Sequence, residues 1–586
     1  MTFNLRVFLW ALLVAALFMN FEMWQRDYPP PAAQAPVATA PAAPLDSSVP
    51  TAAEPVAPNA APASGASAAA APTAGTPAAG APAGAAPSAA APATAANAES
   101  APDAALAGAP VVHVVTDVLD IDVSLAGGEL RRADLTQYAR VKGQPEPVRL
   151  LNRDGAESLY VLQSGLAGAA GAAAPTHVAM FTAGARELRL ADGSSELRVP
   201  LSWTDGAGVT VTKTYVFHRG SYQVGLEYAI TNASAQPWVY QPYAQLLRYN
   251  APVERSMFNV DSYSFKGPAY YDGTKYQKLK IGDKDTSLDR DVTSGWVAAL
   301  QHHFVAAIVP PAGESWHYRL KIQGNQFLLA SSAASRTVAP GASAQLAETL
   351  FVGPKLQRQL KVASPELFRV ADYGYLTTLA QPLFWLLEKV HALIGNWGFT
   401  IIIVTFLLKL LFYPLSEASG KSMAKMKTLA PRLKNLQELY KDDREKLGRA
   451  TMEMYQKEKV NPLAGCLPML IQIPVFLAFY WVLLESVEMR QAPFLGWLND
   501  LSAKDPYYIL PAIMAGAMFV QFKLNPQMGD PVQQKIMMIM PLAMSVTFAF
   551  FPSGLVLYWV TNTVLSILQQ WNINRRIAAQ AAKARA

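Results

Sequence analysis

The sequence predicts a multi-span α-helical membrane protein, with six transmembrane helices plus a large all-β periplasmic sandwich domain. Three observations lead there. Apolar runs of membrane-spanning length recur, one near the start and five in the last third of the chain. The middle region, Val111 to Gly353, alternates with period two. A tract rich in Ala and Pro separates that region from the first apolar run. At 586 residues the chain exceeds one compact domain, and 51% hydrophobic against 16% charged residues places it in the membrane class. The net charge is only +6, so the position of each charge matters more than the sum.

Residues 1–28 hold the first apolar segment, Leu5 to Trp24, with Arg6 before it. The run passes straight into Phe21, Met23 and Trp24 with no small-residue cleavage site, so it reads as an uncleaved anchor with a cytoplasmic N-terminus. Residues 29–110 are mostly Ala, Pro, Gly, Ser and Thr. That composition cannot bury a core, and its prolines break any helix, so it reads as a disordered, extended linker. Residues 111–365 are expected to form the sandwich: runs such as VTVTKTYVF and YQVGLEYAI alternate between Gly, Asn, Asp and Pro punctuation. Residues 366–395 read as an interfacial amphipathic helix, with aromatics beside Glu388, Lys389 and His391.

Residues 396–573 form the expected five-span core. Its spans are Trp397 to Leu415, Leu467 to Leu484, Tyr507 to Phe522, Ile536 to Phe551, and a last one from Leu555 to Gln569. Between the first two lies a charged stretch, 416–461, with eleven Lys/Arg against seven Asp/Glu. It reads as a helical hairpin with its tip near Lys441-Asp442-Asp443. Basic residues so close to span ends place the hairpin in the cytoplasm, together with the loop 523–535 and the basic tail 574–586. Counting the anchor, both termini are cytoplasmic and the β domain falls in the periplasm.

Several chemistries are excluded. The single cysteine, Cys466, allows no intrachain disulfide. The seven histidines are scattered apart from His302–His303, which as strand neighbours would point to opposite faces, so no metal and no cofactor is expected. The β region carries no nucleophile elbow, phosphate loop or zinc motif, and Glu227 has no visible partner carboxylate for glycoside chemistry.

Lys409 is the anomaly. An ammonium inside an apolar span costs at least roughly 2.5–3.5 kcal/mol on insertion scales, so it needs water, a partner or a pathway. Snorkelling to the near interface is the plain alternative, since Leu415 is six residues away. The neighbouring spans argue for a wet groove. Thr405, Lys409 and Phe412 share one helical face, Gln472, Phe476 and Tyr480 another, and Tyr558, Asn562 and Gln569 a third. Buried polar groups in lipid need partners, so these faces are expected to converge.

The segments GNWGFTIIIVTFLLKLLFYPL, SMAKMKTLAPRL, KVNPLAGCLPMLIQIPVF, RQAPFLGWLNDLSAKDPYYILP, DPVQQKIMMIMP and FPSGLVLYWVTN resemble the YidC membrane protein insertases of Gram-negative bacteria. The match runs nearly continuously from about residue 372 to 575. The resemblance implies an insertase and chaperone, not an enzyme, that works alone or beside the Sec translocon. It implies a positively charged hydrophilic groove open to the cytoplasm and to lipid. Lys409 stands where the family typically has arginine, keeping the charge and losing the planar fork. Thr405 and Phe476 match groove or substrate-contact positions, and Trp559 stands beside Tyr558 where a second tyrosine is frequent. The substrate groove is therefore expected to comprise Lys409, Thr405, Gln472, Phe476, Tyr480, Tyr558, Trp559 and Asn562. Implied partners are nascent membrane proteins, Sec translocon components, the ribosome and signal recognition machinery through the hairpin and tail, and the lipid bilayer, with no sequence-specific nucleic acid.

Two other classes remain open on residues alone. A small-molecule transporter or channel would predict a midplane site and internal repeats, and no repeat is visible. A membrane-anchored periplasmic carbohydrate-active enzyme would predict glycan turnover by the β domain.

Overall fold

The computed structural model describes residues 45–49, 106, 108–169, 172–252, 264–283, 285–440, 443–458, 467–524, 539 and 544–583. The expected anchor at Leu5 to Trp24, most of the Ala/Pro tract, Cys466, the hairpin tip at Lys441 and Asp442, and the first half of the fourth expected span lie outside the described residues.

Period-two alternation becomes alternating burial. In strand Gln223–Asn232, Val224, Leu226, Tyr228 and Ile230 are buried while the residues between them turn outward or to the rim. Two sheets form, one of eleven strands and one of nine. The larger runs in part Trp316–Gln323, Gln326–Ala333, Trp238–Tyr249, Tyr160–Gly168 and Leu130–Ala139. Pairing is antiparallel except where Val111–Val115 meets Glu187–Arg189. Ile121, Leu162 and Leu246 from the larger sheet meet Val224, Leu226 and Phe351 from the smaller one in a single core. This is a β-sandwich.

The sandwich departs from the sequence reading in three places. His302 and His303 lie in the turn before strand Phe304–Val309, and their rings stack at 3.8 Å instead of facing apart. His113, Asp120 and Asp122 come together although sequence spacing gave no metal cluster. A guanidinium fills that place, with Arg132 donating to Asp120 at 2.8 Å and to Asp122 at 2.6 Å. Part of the expected linker is ordered against the sandwich.

Helices follow the sandwich: α1 (Gln357–Ala363), α2 (Thr377–Ile394), α3 (Trp397–Leu411), α4 (Tyr413–Leu439), α5 (Arg444–Lys457), α6 (Leu467–Glu485), α7 (Ile509–Leu524) and α8 (Ser553–Lys583). Gly395, at φ 71°, ends α2 by donating its N–H to His391 O at 2.7 Å. The next residue, Asn396, caps α3 by accepting the Phe399 N–H at 3.1 Å. One Gly-Asn pair thus reverses the chain so that α3 packs beside α2. A Cβ on Gly398 would overlap the Phe494 ring, so glycine lets the α6–α7 loop close over the start of α3.

Among the described residues no single helix is both long and apolar enough to cross a membrane, but α3 and the start of α4 pass together across a 59° bend. The continuous span expected to Leu415 is therefore broken after Leu411. Pro414 explains the break: it lacks an N–H and its ring clashes with the preceding turn, so it starts α4 instead of prolonging α3. The chain end also differs, because α8 continues through the expected tail to Lys583. Ala578, Ala579, Ala581 and Ala582 favour that continuation. In the hairpin, Asp443 caps α5 at 3.0 Å and Arg432 pairs with Glu458 at 2.6 Å, tying α4 to the end of α5.

The α6–α7 loop joins the two halves. Val487 enters the sandwich core, Arg490 and Gln491 donate to Ala139 O at 2.8 and 3.0 Å, and His302 Nε2 lies 3.0 Å from Leu484 O. Lys278–Asp372 at 2.8 Å and Arg358–Glu388 at 2.6 Å add two ion pairs.

Candidate functional groove

Three helices bring polar groups to one place. Lys409 occupies the last turn of α3. Its Nζ donates to Ser566 Oγ of α8 at 2.8 Å and lies 3.5 Å from Gln472 Oε1 of α6. Gln472 Nε2 donates to Asn562 Oδ1 at 2.8 Å, and Ser566 Oγ returns a hydrogen bond to Asn562 O at 2.7 Å. The ammonium is thus solvated by neutral dipoles that also hold one another.

One turn earlier, buried Thr405 satisfies its hydroxyl on Ile401 O at 2.6 Å. Helical spacing stacks Thr405 and Lys409 on one face, and Tyr558, Asn562 and Ser566 on another. Together with Phe412, Leu415, Ser416, Ile471, Val475 and Leu408, five of the expected residues line an open-sided cavity of about 40 Å³: Thr405, Lys409, Gln472, Tyr558 and Asn562. Such a space holds water at its polar wall.

Phe476, Tyr480 and Trp559 lie off that cavity, in an aromatic row continuing from it. Tyr558 stacks on Phe479 at 4.4 Å and on Phe476 at 6.0 Å. Phe476 meets Trp559 edge-on at 4.5 Å, Trp559 stacks on Phe548 at 5.3 Å, and Phe551 bridges Phe548 to Tyr480. The eight expected residues therefore divide between a polar chamber and an apolar wall. Gln569 does not join the chamber, and its Nε2 has no partner among the described residues. Sequence reasoning missed Ser566 and Phe479. Ser566 was within reach, four residues beyond Asn562 on the same face.

The outer surfaces are apolar. Phe406, Leu410 and Leu411 on α3, Ile473 and Leu477 on α6, and Leu568 and Trp571 on α8 are exposed, Leu411 at 70%. Contiguous apolar surface of this kind calls for a non-aqueous neighbour. A sandwich joined to lipid-compatible helices around a half-buried cation defines a membrane-embedded protein with a large extramembrane domain.

The comparisons with known proteins agree. The family described as 60Kd inner membrane protein matches residues 389–580, and the YidC periplasmic domain matches residues 111–386. The membrane protein insertase YidC of Thioalkalivibrio sulfidiphilus is 48% identical over 478 residues, covering 80% of this chain and 85% of that protein. That of Methylococcus capsulatus is 48% identical over 482 residues, covering 81% and 88%. A crystal structure of an active YidC insertase with its first transmembrane domain resolved covers 80% of this chain and 95% of that one, at 19% identity and a TM-score of 0.35. The chain belongs to the YidC membrane protein insertase family, inner membrane proteins with a periplasmic domain.

Proposed function

We propose that this chain moves hydrophobic segments of nascent proteins into the inner membrane through the chamber around Lys409, alone or with the Sec translocon. The observation that carries this reading is a cation whose partners among the described residues are neutral, on an open cavity between apolar helices. A client's polar flank enters the chamber, where water and the Lys409 ammonium replace part of its lost hydration. Desolvation is then incurred over a shorter path than the full bilayer of roughly 30 Å. An acidic flank gains Coulomb attraction that grows as the surroundings become less polar. Meanwhile the client's apolar segment slides along Phe476, Tyr480, Tyr558 and Trp559 into lipid. Partitioning and the membrane potential supply the energy, the latter about 2.3 kcal/mol per charge per 100 mV.

Six spans with cytoplasmic termini and a periplasmic sandwich fit this reading, since the α4–α5 hairpin and the end of α8 are basic. These two elements are where the ribosome, signal recognition machinery and Sec components would dock. The test is insertion of a short single-span client with an acidic tail into liposomes holding the purified chain, read by protease protection. Insertion by the native chain and Lys409→Arg, weakened in Lys409→Ala, supports the mechanism. Full activity of Lys409→Ala or Lys409→Glu overturns the role of the charge.

A further inference from the structure

The Ala/Pro tract 29–110 contains only two leucines, Leu45 and Leu106, no larger aromatic or β-branched residue than valine, and no basic residue. Both leucines are buried. Residues 45–49, LDSSV, lie against the outward face of the eleven-stranded sheet. The first three form a short 3₁₀ turn, closed by Ser48 N–H on Leu45 O at 3.1 Å.

The sheet meets this segment atom by atom. Leu45 packs with Val161, Leu247 and Leu328, three neighbours on adjacent strands whose side chains point away from the sandwich core. Arg153 grips the Asp46 carboxylate in a fork, Nη1 at 2.7 Å and Nη2 at 2.9 Å, and Gln163 Nε2 donates to it at 2.7 Å. His177 Nε2 lies 2.7 Å from Asp46 O while its Nδ1 faces Tyr243 Oη at 2.7 Å. Lys321 Nζ donates to Ser48 Oγ at 2.7 Å, and Gln245 Nε2 lies 3.5 Å from Ser48 O. Gln163, His177 and Gln245 are themselves buried, the Arg153 side chain is 8% exposed, and Arg153 also pairs with the Glu129 carboxylate. Burial alone would raise the Asp46 carboxyl; Arg153 and Gln163 outweigh it and hold it below the usual carboxylate range.

A surface that turns five polar side chains and three apolar ones on five residues of a low-complexity tract is a recognition site. We propose that this face of the sandwich is a peptide-binding cleft for a Leu-Asp-x-Ser segment, and that residues 45–49 of this chain are its resident ligand. Leu supplies the apolar anchor, Asp the charge that completes Arg153, and Ser the acceptor for Lys321. A second clamp holds the far end of the tract, where Arg131 donates to Leu106 O and, at 3.2 Å, to Ala109 O.

The experiment uses the full chain in detergent. Amide hydrogen exchange on the native protein should show residues 45–49 protected at least tenfold over the flanking tract. Asp46→Ala should abolish that protection with the thermal transition of the sandwich retained. It should also open the cleft to a fluorescein-labelled peptide of residues 43–51, read by anisotropy, while the same peptide carrying Asp46→Ala binds at least tenfold more weakly. Exchange of 45–49 at the rate of the flanking tract in the native chain would overturn the proposal. So would failure of both Asp46→Ala and a deletion of residues 43–50 to bind the unmodified peptide.

Discussion

Two lysines, one buried and one half-buried, set the two halves of the molecule apart. Lys213, in strand Val209–His218 of the sandwich, is fully enclosed. Its Nζ donates to Gly127 O at 2.7 Å, Ser164 O at 2.9 Å and Gly128 O at 3.3 Å, and sits 5.3 Å from the Tyr215 ring. Those acceptors are backbone carbonyls fixed by the sheet and its turns, and they use all three N–H groups of an ammonium. Lys409 has two side-chain partners on separate helices, and one side of it is open. A lysine with rigid, complete partners is part of the architecture. A lysine with replaceable partners beside open space is available to a visitor.

That contrast can be broken by mutation, and the largest effect belongs to the sandwich. Lys213→Met takes the ammonium from three buried carbonyls, of which Gly128 O keeps the Tyr215 hydroxyl as donor, and costs about 2–4 kcal/mol. Calorimetry of the full chain should show the sandwich transition falling by roughly 5–15 °C. Next comes Gly398→Leu, which tests whether the helical half is closed at one end as firmly as the groove is open at the other. The new side chain must displace Phe494, so about 1–3 kcal/mol of stability should be lost, read by thermal melting in detergent. Lys409→Met inverts the Lys213 result: insertion should drop at least tenfold while the melting temperature holds or rises, because an apolar side chain suits the site better.

A pH measurement sharpens the picture. Burial pushes the Glu348 carboxyl in the sandwich up to about 8, and neither of its oxygens has a hydrogen-bond partner among the described residues. The native state therefore keeps a proton that the unfolded chain loses near its ordinary value of 4.5. Its stabilising contribution is complete below that value and disappears as pH rises towards about 8. Burial lowers Lys213 to about 7, so below that pH it is charged in both states and adds no slope. Between pH 5 and 7, Glu348→Gln should flatten the stability profile by up to about 1.4 kcal/mol per pH unit. The smallest effect is that of Ser566→Ala. It removes one neutral partner from Lys409, and insertion should fall less than fivefold, with Gln472 still in place.

The sequence was most legible where periodicity controls structure. Period-two runs such as YQVGLEYAI became strands because alternation matches a half-buried sheet, and the faces carrying Lys409, Gln472 and Asn562 did converge. What it hid came from local breaks and distant contacts. Pro414 was visible, but the composition of Trp397 to Leu415 outweighed it, so the bend at Phe412 went unread. His302 and His303 lie in a turn, where the strand rule does not apply. LDSSV looked like one more patch of a tether, since nothing nearby in sequence announces that Arg153, His177 and Lys321 gather around it.

The break after Leu411 has an electrostatic consequence for the groove. A helix ends with aligned peptide dipoles that place roughly half a negative charge at its C-terminus. Because α3 stops there and the chain turns by 59°, Lys409 stands in that last turn. In a helix running straight to Leu415 it would sit further from the end, where the effect fades within a turn. Among the described residues the chamber's side chains supply no counter-charge, and this end of α3 supplies a diffuse one that the N-terminus of α4, starting at Tyr413, partly offsets. That field steadies the ammonium without occupying it, and it cannot be protonated away or salt-bridged by an arriving client.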